Sequence, residues 1–500
     1  MAQAARLTGG GGGGTEVGMI DIRPVVHAIS KLCVAMGVLM LAPAVIDWAN
    51  GDPNWRAFAM AGGATIVLGL LVAVATPGDG RPLVVEQAFL LTTGLWVVLP
   101  LLGAMPFMLG APAAGWTDAM FESMSGMTTT GTTAFPRLDH LPLGTHLWRG
   151  ILQWSGGLGI VVVAMVFLPV MRVGGMQFFR SEGFDTMGKV MPRAGQIAAE
   201  MTQLYLGITL ACAATYTALG MGGFDAVMHA LTTCSTGGFG RYDASFAAFP
   251  GSIELAASFF TILASIPFVR MLQLVHGDPA PLWRDSQIRA YLGIIAAACL
   301  VILVYEALWR SVLPSADLAR EVIFHVVTIT SGTGFASTDV TQWGYLPFVL
   351  LFFIGLIGGC TGSTVCSIKV FRYQVLFEAL RGQLTQMQSP HRVRPLRLQG
   401  RRLDPEVVNS VMAFFTMFVL SFGALIVALA LTGLHPRTAL TAAWTAIANI
   451  GPIWGPEVTA NGSVADFPPS AKWLMIAGMY LGRLELITVF VVLMPRFWRQ

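Results

Sequence analysis

The chain has 500 residues, of which 55% are hydrophobic and only 11% charged, with a formal net charge of +3 and a mean hydropathy of +0.67. Soluble domains carry about 25% charged residues, so there is too little charge to cover a water-facing surface of this size. A water-soluble protein is excluded, and the 56 glycines suit the close helix packing of a polytopic membrane protein.

In chain order, residues 1–24 read as a cytoplasmic tail whose six-glycine run, Gly9 to Gly14, has nothing to bury and is expected to be disordered. Apolar runs then recur at 25–48, 57–76, 84–109, 150–171, 199–222, 251–275, 287–313, 344–371, 407–434 and 470–495. Each has the ~20 residues a helix needs to cross a bilayer, which predicts about ten transmembrane helices. The first run has no small-residue cleavage site behind it and reads as a retained anchor. Between the third and fourth, fifth and sixth, seventh and eighth, and ninth and tenth runs lie apolar segments of about 12 residues. These are too short to span and too apolar for exposed loops, so they are expected to be re-entrant half-helices.

Each half-helix closes on a Thr/Ser/Gly cluster: Thr128-Thr129-Thr130-Gly131-Thr132, Ser235-Thr236-Gly237-Gly238-Phe239, Ser331-Gly332-Thr333-Gly334-Phe335 and Asn449-Ile450-Gly451-Pro452. With Gly131, Gly238, Gly334 and Gly451 taken as equivalent, the separations are 107, 96 and 117 residues, a repeat of about 100. Thirteen residues before these glycines stand Asp118, Asp225, Glu321 and Thr438, side chains that suit a helix start. The exits of the second and third clusters also match, through Asp243 and Asp339.

Two spans separate successive clusters, so all four open on the same membrane face. The repeats are parallel, unlike the inverted halves of many secondary transporters. The predicted organisation is two extra helices (25–80), repeat 1 (81–172), repeat 2 (190–276), repeat 3 (285–376), a basic linker (377–404) and repeat 4 (405–500). Placing the clusters outside leaves both termini cytoplasmic and puts 21 of the 30 Lys and Arg residues on the inner side, as the positive-inside rule requires. The linker, with Arg392, Arg394, Arg397, Arg401 and Arg402, is either a solvated positive-inside loop or a docking surface for a cytoplasmic partner.

A half-helix entering from outside aims its partially negative C-terminus at the membrane midplane. Four such ends converging favour a cation, and glycine lets the following backbone expose carbonyls while Thr and Ser add oxygens. No carboxylate lies in any cluster, so coordination by dipoles suits a weakly hydrated monovalent ion. Gly358 to Ser367 interrupts an otherwise apolar span with residues poor for a helix. Irregular backbone at that depth is tolerated where it lines a cavity or is buried; the alternative is a Gly-rich packing face. Arg483 is the basic residue placed within a span, where a charge costs at least ~2.5 to 3.5 kcal/mol. It is expected to face a pore or to pair with an acid such as Glu485, while Lys369 would snorkel to the cytoplasmic face.

Other chemistry is thin. The cysteines at 33, 212, 234, 299, 360 and 366 form no CxxC pair, and the histidines, including His229 and His325 on the half-helices, show no metal-ligand spacing. Phosphate-loop, dinucleotide and nucleophile-elbow motifs are missing, and no cofactor is expected. An intramembrane enzyme would need convergent acids or a nucleophile that the clusters do not offer. A sodium- or proton-coupled secondary transporter stays as the alternative.

The four clusters, together with Phe121-Glu122-Ser123-Met124-Ser125-Gly126-Met127, Gly358-Gly359-Cys360-Thr361-Gly362-Ser363-Thr364 and Leu481-Gly482-Arg483-Leu484-Glu485, resemble the membrane subunit of bacterial Trk-type potassium uptake systems (TrkH-like) in the Trk/Ktr/HKT superfamily. The resemblance runs from Val25 to Arg499 and implies an all-α fold of four helix/pore-loop/helix repeats in pseudo-fourfold arrangement. It implies a K+ selectivity filter at Thr129, Thr130, Gly131, Thr132, Thr236, Gly237, Gly238, Phe239, Gly332, Thr333, Gly334, Phe335, Asn449, Ile450, Gly451 and Pro452. In that superfamily a serine at the first key glycine accompanies sodium preference, so four glycines imply potassium. It further implies an intramembrane gate loop, 358–367, beneath the filter with Arg483 beside it, a homodimer in the inner membrane, and a cytoplasmic TrkA-like ring that binds NAD(H) or ATP/ADP. Val365 and Cys366 stand where small glycines are usual, and Trp454 is bulkier than the glycine often found there.

Overall fold

The computed structural model describes residues 20–78, 83–167, 171, 175, 178, 194–249, 251–311, 315–391 and 395–498; the glycine run and the basic residues Arg392 and Arg394 lie outside them. The protein is mostly helical. Helices α1 (Arg23–Leu39), α2 (Leu41–Ala49) and α3 (Trp55–Ala75) form the N-terminal pair of crossings. They meet backbone to backbone: a Cβ on Gly37 would sit 2.8 Å from the Gly62 carbonyl oxygen, and one on Gly69 2.9 Å from that of Ser30. Buried Asp47 at the end of α2 accepts from Asn54 Nδ2 (2.7 Å) and from the Gly144 amide (2.6 Å). That carboxylate sits at the positive start of the helix that begins at Leu143 and fixes the N-terminal helices to it.

The stretch expected as repeat 1 holds α4 (Val85–Gly103), α5 (Met105–Leu109), α6 (Trp116–Met127) and α7 (Leu143–Val166); that expected as repeat 2, α8 (Ala194–Ala218), α9 (Gly223–Cys234), α10 (Ser252–Ser265) and α11 (Phe268–Val275). Then come α12 (Ala280–Arg284), α13 (Ser286–Trp309), α14 (Ala316–Thr330), α15 (Tyr345–Gly355) and α16 (Val370–Gln388), followed by a two-strand hairpin, β1 (Arg397–Leu398) and β2 (Arg401–Arg402). The stretch expected as repeat 4 holds α17 (Pro405–Leu431), α18 (Pro436–Ala448), α19 (Pro469–Arg483) and α20 (Ile487–Leu493). Among the described residues six helices are long and apolar enough to cross a membrane, and eight if each bent pair counts as one. Exposed Leu71, Val74, Val419 and Leu431 are what a lipid-facing surface requires. One hydrophobic core joins repeats 2 and 3 around Tyr216, Phe246, Phe324 and Phe335; a second joins repeats 1 and 4 with the N-terminal helices around Phe58, Phe121, Trp148 and Met475.

Three of the expected continuous spans are broken. The run 251–275 bends by 98° at Ile266 and Pro267, because Pro267 cannot extend the ladder of α10. The run 470–495 bends by 108° where Glu485 and Leu486 take positive φ (60° and 31°). The run 344–371 is helical only to Gly355, and an irregular loop leads to α16. The third half-helix begins at Ala316 under a Ser315 cap that accepts from the Leu318 amide, so Glu321 stands beyond its first turn, not at its start.

Candidate functional site

Four short helices, α6, α9, α14 and α18, each end on a segment with the same backbone signature. Two residues two apart take left-handed φ: Thr129 (53°) and Gly131 (88°), Thr236 (52°) and Gly238 (79°), Gly332 (72°) and Gly334 (72°), Asn449 (53°) and Gly451 (109°). Thr129, Thr236 and Asn449 hold φ values that side chains resist, so the surrounding structure must impose them.

The four segments touch in a closed circle. A Cβ on Gly131 would overlap the Gly237 carbonyl oxygen, one on Gly238 that of Thr333, and one on Gly334 that of Ile450. One on Gly451 would lie 2.9 Å from the Thr130 oxygen, completing the round. Each key glycine therefore abuts the carbonyl just before the next one, and the C-terminal ends of four helices lie behind them. All the residues expected in the filter are brought together, and most are buried. Thr132 Oγ1 donates to Gly451 O (2.7 Å) and Asn449 Nδ2 to Thr130 Oγ1 (2.8 Å), linking segments one and four.

Sequence reasoning missed the scaffold behind this circle, although a signal was present. Six residues before each key glycine stands a hydroxyl: Ser125, Thr232, Thr328 and Thr445. Ser125 Oγ donates to Thr132 O (2.6 Å), Thr328 Oγ1 to Phe335 O (3.1 Å), and Thr445 Oγ1 accepts from the Gly451 amide (2.6 Å). It also missed Arg149, which, like Arg483, lies buried along an apolar helix. Glu122, in the first half-helix, accepts from Arg149 Nε (2.7 Å), Thr133 Oγ1 (3.0 Å) and the Ala134 amide (2.8 Å).

The loop 356–369 packs against the helix-proximal end of the circle. Thr236 Oγ1 donates to Thr364 Oγ1 (3.2 Å), and Cys366 Sγ lies 3.8 Å from both Thr128 O and Thr129 Oγ1. The bend between α10 and α11 is its dock. Orphan carbonyls of Ala264 and Ser265 accept from the Thr364 (3.3 Å) and Cys360 (3.0 Å) amides, and the orphan amide of Phe268 donates to Gly362 O (3.0 Å). Gln287 Oε1 takes the Thr361 amide (3.0 Å), Ser363 Oγ donates to Cys360 O (2.6 Å), and a Cβ on Gly358 would overlap the Cys366 carbonyl. Gly359 is pressed between Val365 and the Ser265 carbonyl.

Arg483, 2% exposed, reaches this loop: Nη1 contacts Thr364 O (3.3 Å) and Cys366 Sγ, and Nη2 donates to Gly156 O (2.8 Å). An ion pair of Arg483 with Glu485 does not form, since Glu485 pairs with buried Arg372. Lys369 does not snorkel; it is buried with its ammonium on the Val365 carbonyl, which the turn from loop into α16 brings over it. A small cavity of about 20 Å³ lies here, lined by Cys366, Lys369, Arg372 and Arg483.

On the other side of the circle an open cavity of about 740 Å³ meets Gly334, Phe335 and Pro452 and is lined by Asp243, Asp339, Arg437, Trp454 and Asn461. Partial burial of Asp339 is outweighed by bonds from Thr341 and Gln342 and by Arg437, which hold its carboxyl below the usual range, so the charge persists. Trp454 packs on Phe348 (5.2 Å) and Trp444 (5.4 Å). Asp118 and Asp225 stand in the first turns of α6 and α9, as expected, and there they also pair with Lys472 (2.7 Å) and Arg241 (2.6 Å). His229 lies edge-on to Phe246 and Phe249, and His325 Nε2 accepts from the Ser337 amide (3.3 Å). Among the described residues no cluster of His, Cys, Asp and Glu would hold a metal.

A family model described as TrkH, cation transport protein, matches residues 56–499. The Trk system potassium uptake protein TrkI of Halomonas elongata is 37% identical over 481 residues, covering 95% of this chain and 97% of that protein. TrkH of Escherichia coli K12, a Trk system potassium uptake protein, is 32% identical over 489 residues, covering 96% of this chain and 100% of its own. The crystal structure of the potassium transporter TrkH from Vibrio parahaemolyticus superposes with a TM-score of 0.88 at 31% identity, covering 96% and 100% of the two chains.

Proposed function

The chain belongs to the TrkH cation transport family, and on that premise we propose that it is the potassium-translocating membrane subunit of a Trk-type uptake system. The closed circle of Thr130, Gly237, Thr333 and Ile450 carbonyls carries this reading. Backbone oxygens backed by helix C-termini replace an ion's hydration shell without the full charge that would trap it, which suits K+. Thr129 to Thr132, Thr236 to Phe239, Gly332 to Phe335 and Asn449 to Pro452 are the filter of this proposal, with no carboxylate among them.

The loop from Gly358 to Ser367 is the gate, because it closes the helix-proximal end of the filter and Arg483 places a fixed cation beside it. In the proposed orientation the filter faces outside and both termini are cytoplasmic, so membrane potential drives entry at about 2.3 kcal/mol per charge per 100 mV. A homodimer on a cytoplasmic TrkA-like nucleotide-binding ring completes the proposal. The test is growth of a potassium-uptake-deficient bacterium on low-potassium medium when the chain is expressed with such a regulator. Growth with wild type, and its loss or a shift to sodium dependence with Gly131→Ser, is expected; no growth with wild type overturns the reading.

A further inference from the structure

The four quarters of the circle are not held alike. In segments one, three and four the hydroxyl six residues before the key glycine reaches forward to the segment, Thr328 also lying 3.3 Å from His325 O, whereas among the described residues the Thr232 hydroxyl makes only the backward bond, to His229 O (3.2 Å). A side chain from a different element takes over. Gln153 on α7, fully buried, donates from Nε2 to Gly237 O (2.6 Å) and accepts at Oε1 from the Phe239 amide (3.0 Å). One turn earlier on the same face, Arg149 donates from Nη1 to Gly240 O (2.7 Å), and its guanidinium lies 4.1 Å from the centre of the Phe239 ring. Gln153 also explains Gly237: a Cβ there would overlap the Gln153 amide.

Gly237 O is one of the four oxygens of the circle, and among the described residues its three counterparts, Thr130 O, Thr333 O and Ile450 O, have no comparable side-chain donor. We propose that Gln153 is a specificity-determining positioning residue, which fixes and partly neutralises one of the four filter oxygens. This rests on the filter reading above. A carbonyl that already accepts a hydrogen bond offers a weaker field to an ion, and one clamped on both sides of Gly238 cannot follow a smaller ion inward. Both effects penalise Na+ relative to K+. Arg149, anchored by Glu122, keeps the α7 face at the distance this clamp needs.

The test measures K+, Rb+ and Na+ uptake by the full chain, reconstituted with its TrkA-like regulator in phosphatidylethanolamine/phosphatidylglycerol vesicles, for wild type, Gln153→Leu, Gln153→Met and Gln153→Glu. Loss of the clamp in Gln153→Leu or Gln153→Met is expected to lower the K+/Na+ uptake ratio by about tenfold or more, the scale of one well-made hydrogen bond, with Na+ uptake rising in absolute rate. Gln153→Glu keeps the acceptor for Phe239 N, places a negative charge against Gly237 O and is expected to shift the ratio further; it also carries the test should the apolar variants not fold. A folded variant whose K+ and Na+ rates fall together, with the ratio unchanged, overturns the clamp and leaves the filter standing. Wild-type vesicles that carry no K+ overturn the filter reading itself.

Discussion

Single residues at this site act through space they deny to others. Gly131 and Gly238 need both left-handed φ and room, since a Cβ at either would strike a carbonyl of the next segment. Gly238→Ala is therefore expected to abolish potassium-dependent growth while leaving the chain in the membrane, measured by complementation and membrane abundance. The Glu122–Arg149 pair is another residue-scale device. It joins the exits of segments one and two through Thr133, Ala134 and Gly240, with both side chains buried. Arg149→Met leaves a buried carboxylate without its cation, a change that costs about 3–5 kcal/mol. A marked fall in thermal denaturation midpoint in detergent is expected, with partial recovery in the Glu122→Gln/Arg149→Met double variant.

At the level of elements, the loop 356–369 is held from two sides by helix breaks. The orphan groups at the α10/α11 bend bond to it directly, and Arg483 at the end of α19 reaches it at the second bend. Removing the guanidinium in Arg483→Ala takes away both the fixed charge and a tie to Thr364 O, so a higher K+ leak is expected in vesicle flux. Shortening the loop between Gly358 and Ser367 is expected to open the pathway in the same assay. Unchanged flux in both would remove the gate role and leave the filter intact. The sequence disclosed that residues 358–367 break a helix, but not where the broken stretch docks. The run 251–275 read as one span, and the carbonyls freed by its break at Pro267 find their role only when the loop's amides arrive to donate to them.

For the whole molecule, two cores pair repeat 2 with repeat 3 and repeat 1 with repeat 4, and the four segments close a circle across the boundary between them. The proposed orientation puts the hairpin Arg397–Arg402 and the cavity at Asn461 on opposite faces. A cysteine at Gln399 is expected to react with an impermeant maleimide only in inverted vesicles, and one at Ala460 only in right-side-out ones. The six native cysteines are all buried and contribute little background. Labelling with the opposite sidedness would reverse the topology.

The sequence by itself determined the membrane class, the ten apolar runs and the fourfold register of glycines, because hydropathy over ~20 residues and the lack of a Cβ are local properties that need no partner. The same is true of the irregular stretch from Gly358, where composition alone argues against a helix. Tertiary structure alone decided that Glu485 pairs with Arg372 and not Arg483, that Lys369 turns inward, and that Gln153 grips Gly237 across 84 residues of chain. Each of these depends on which buried donor lies within about 3 Å of which acceptor, and such distances arise only when separate helices pack, at spacings no periodicity encodes.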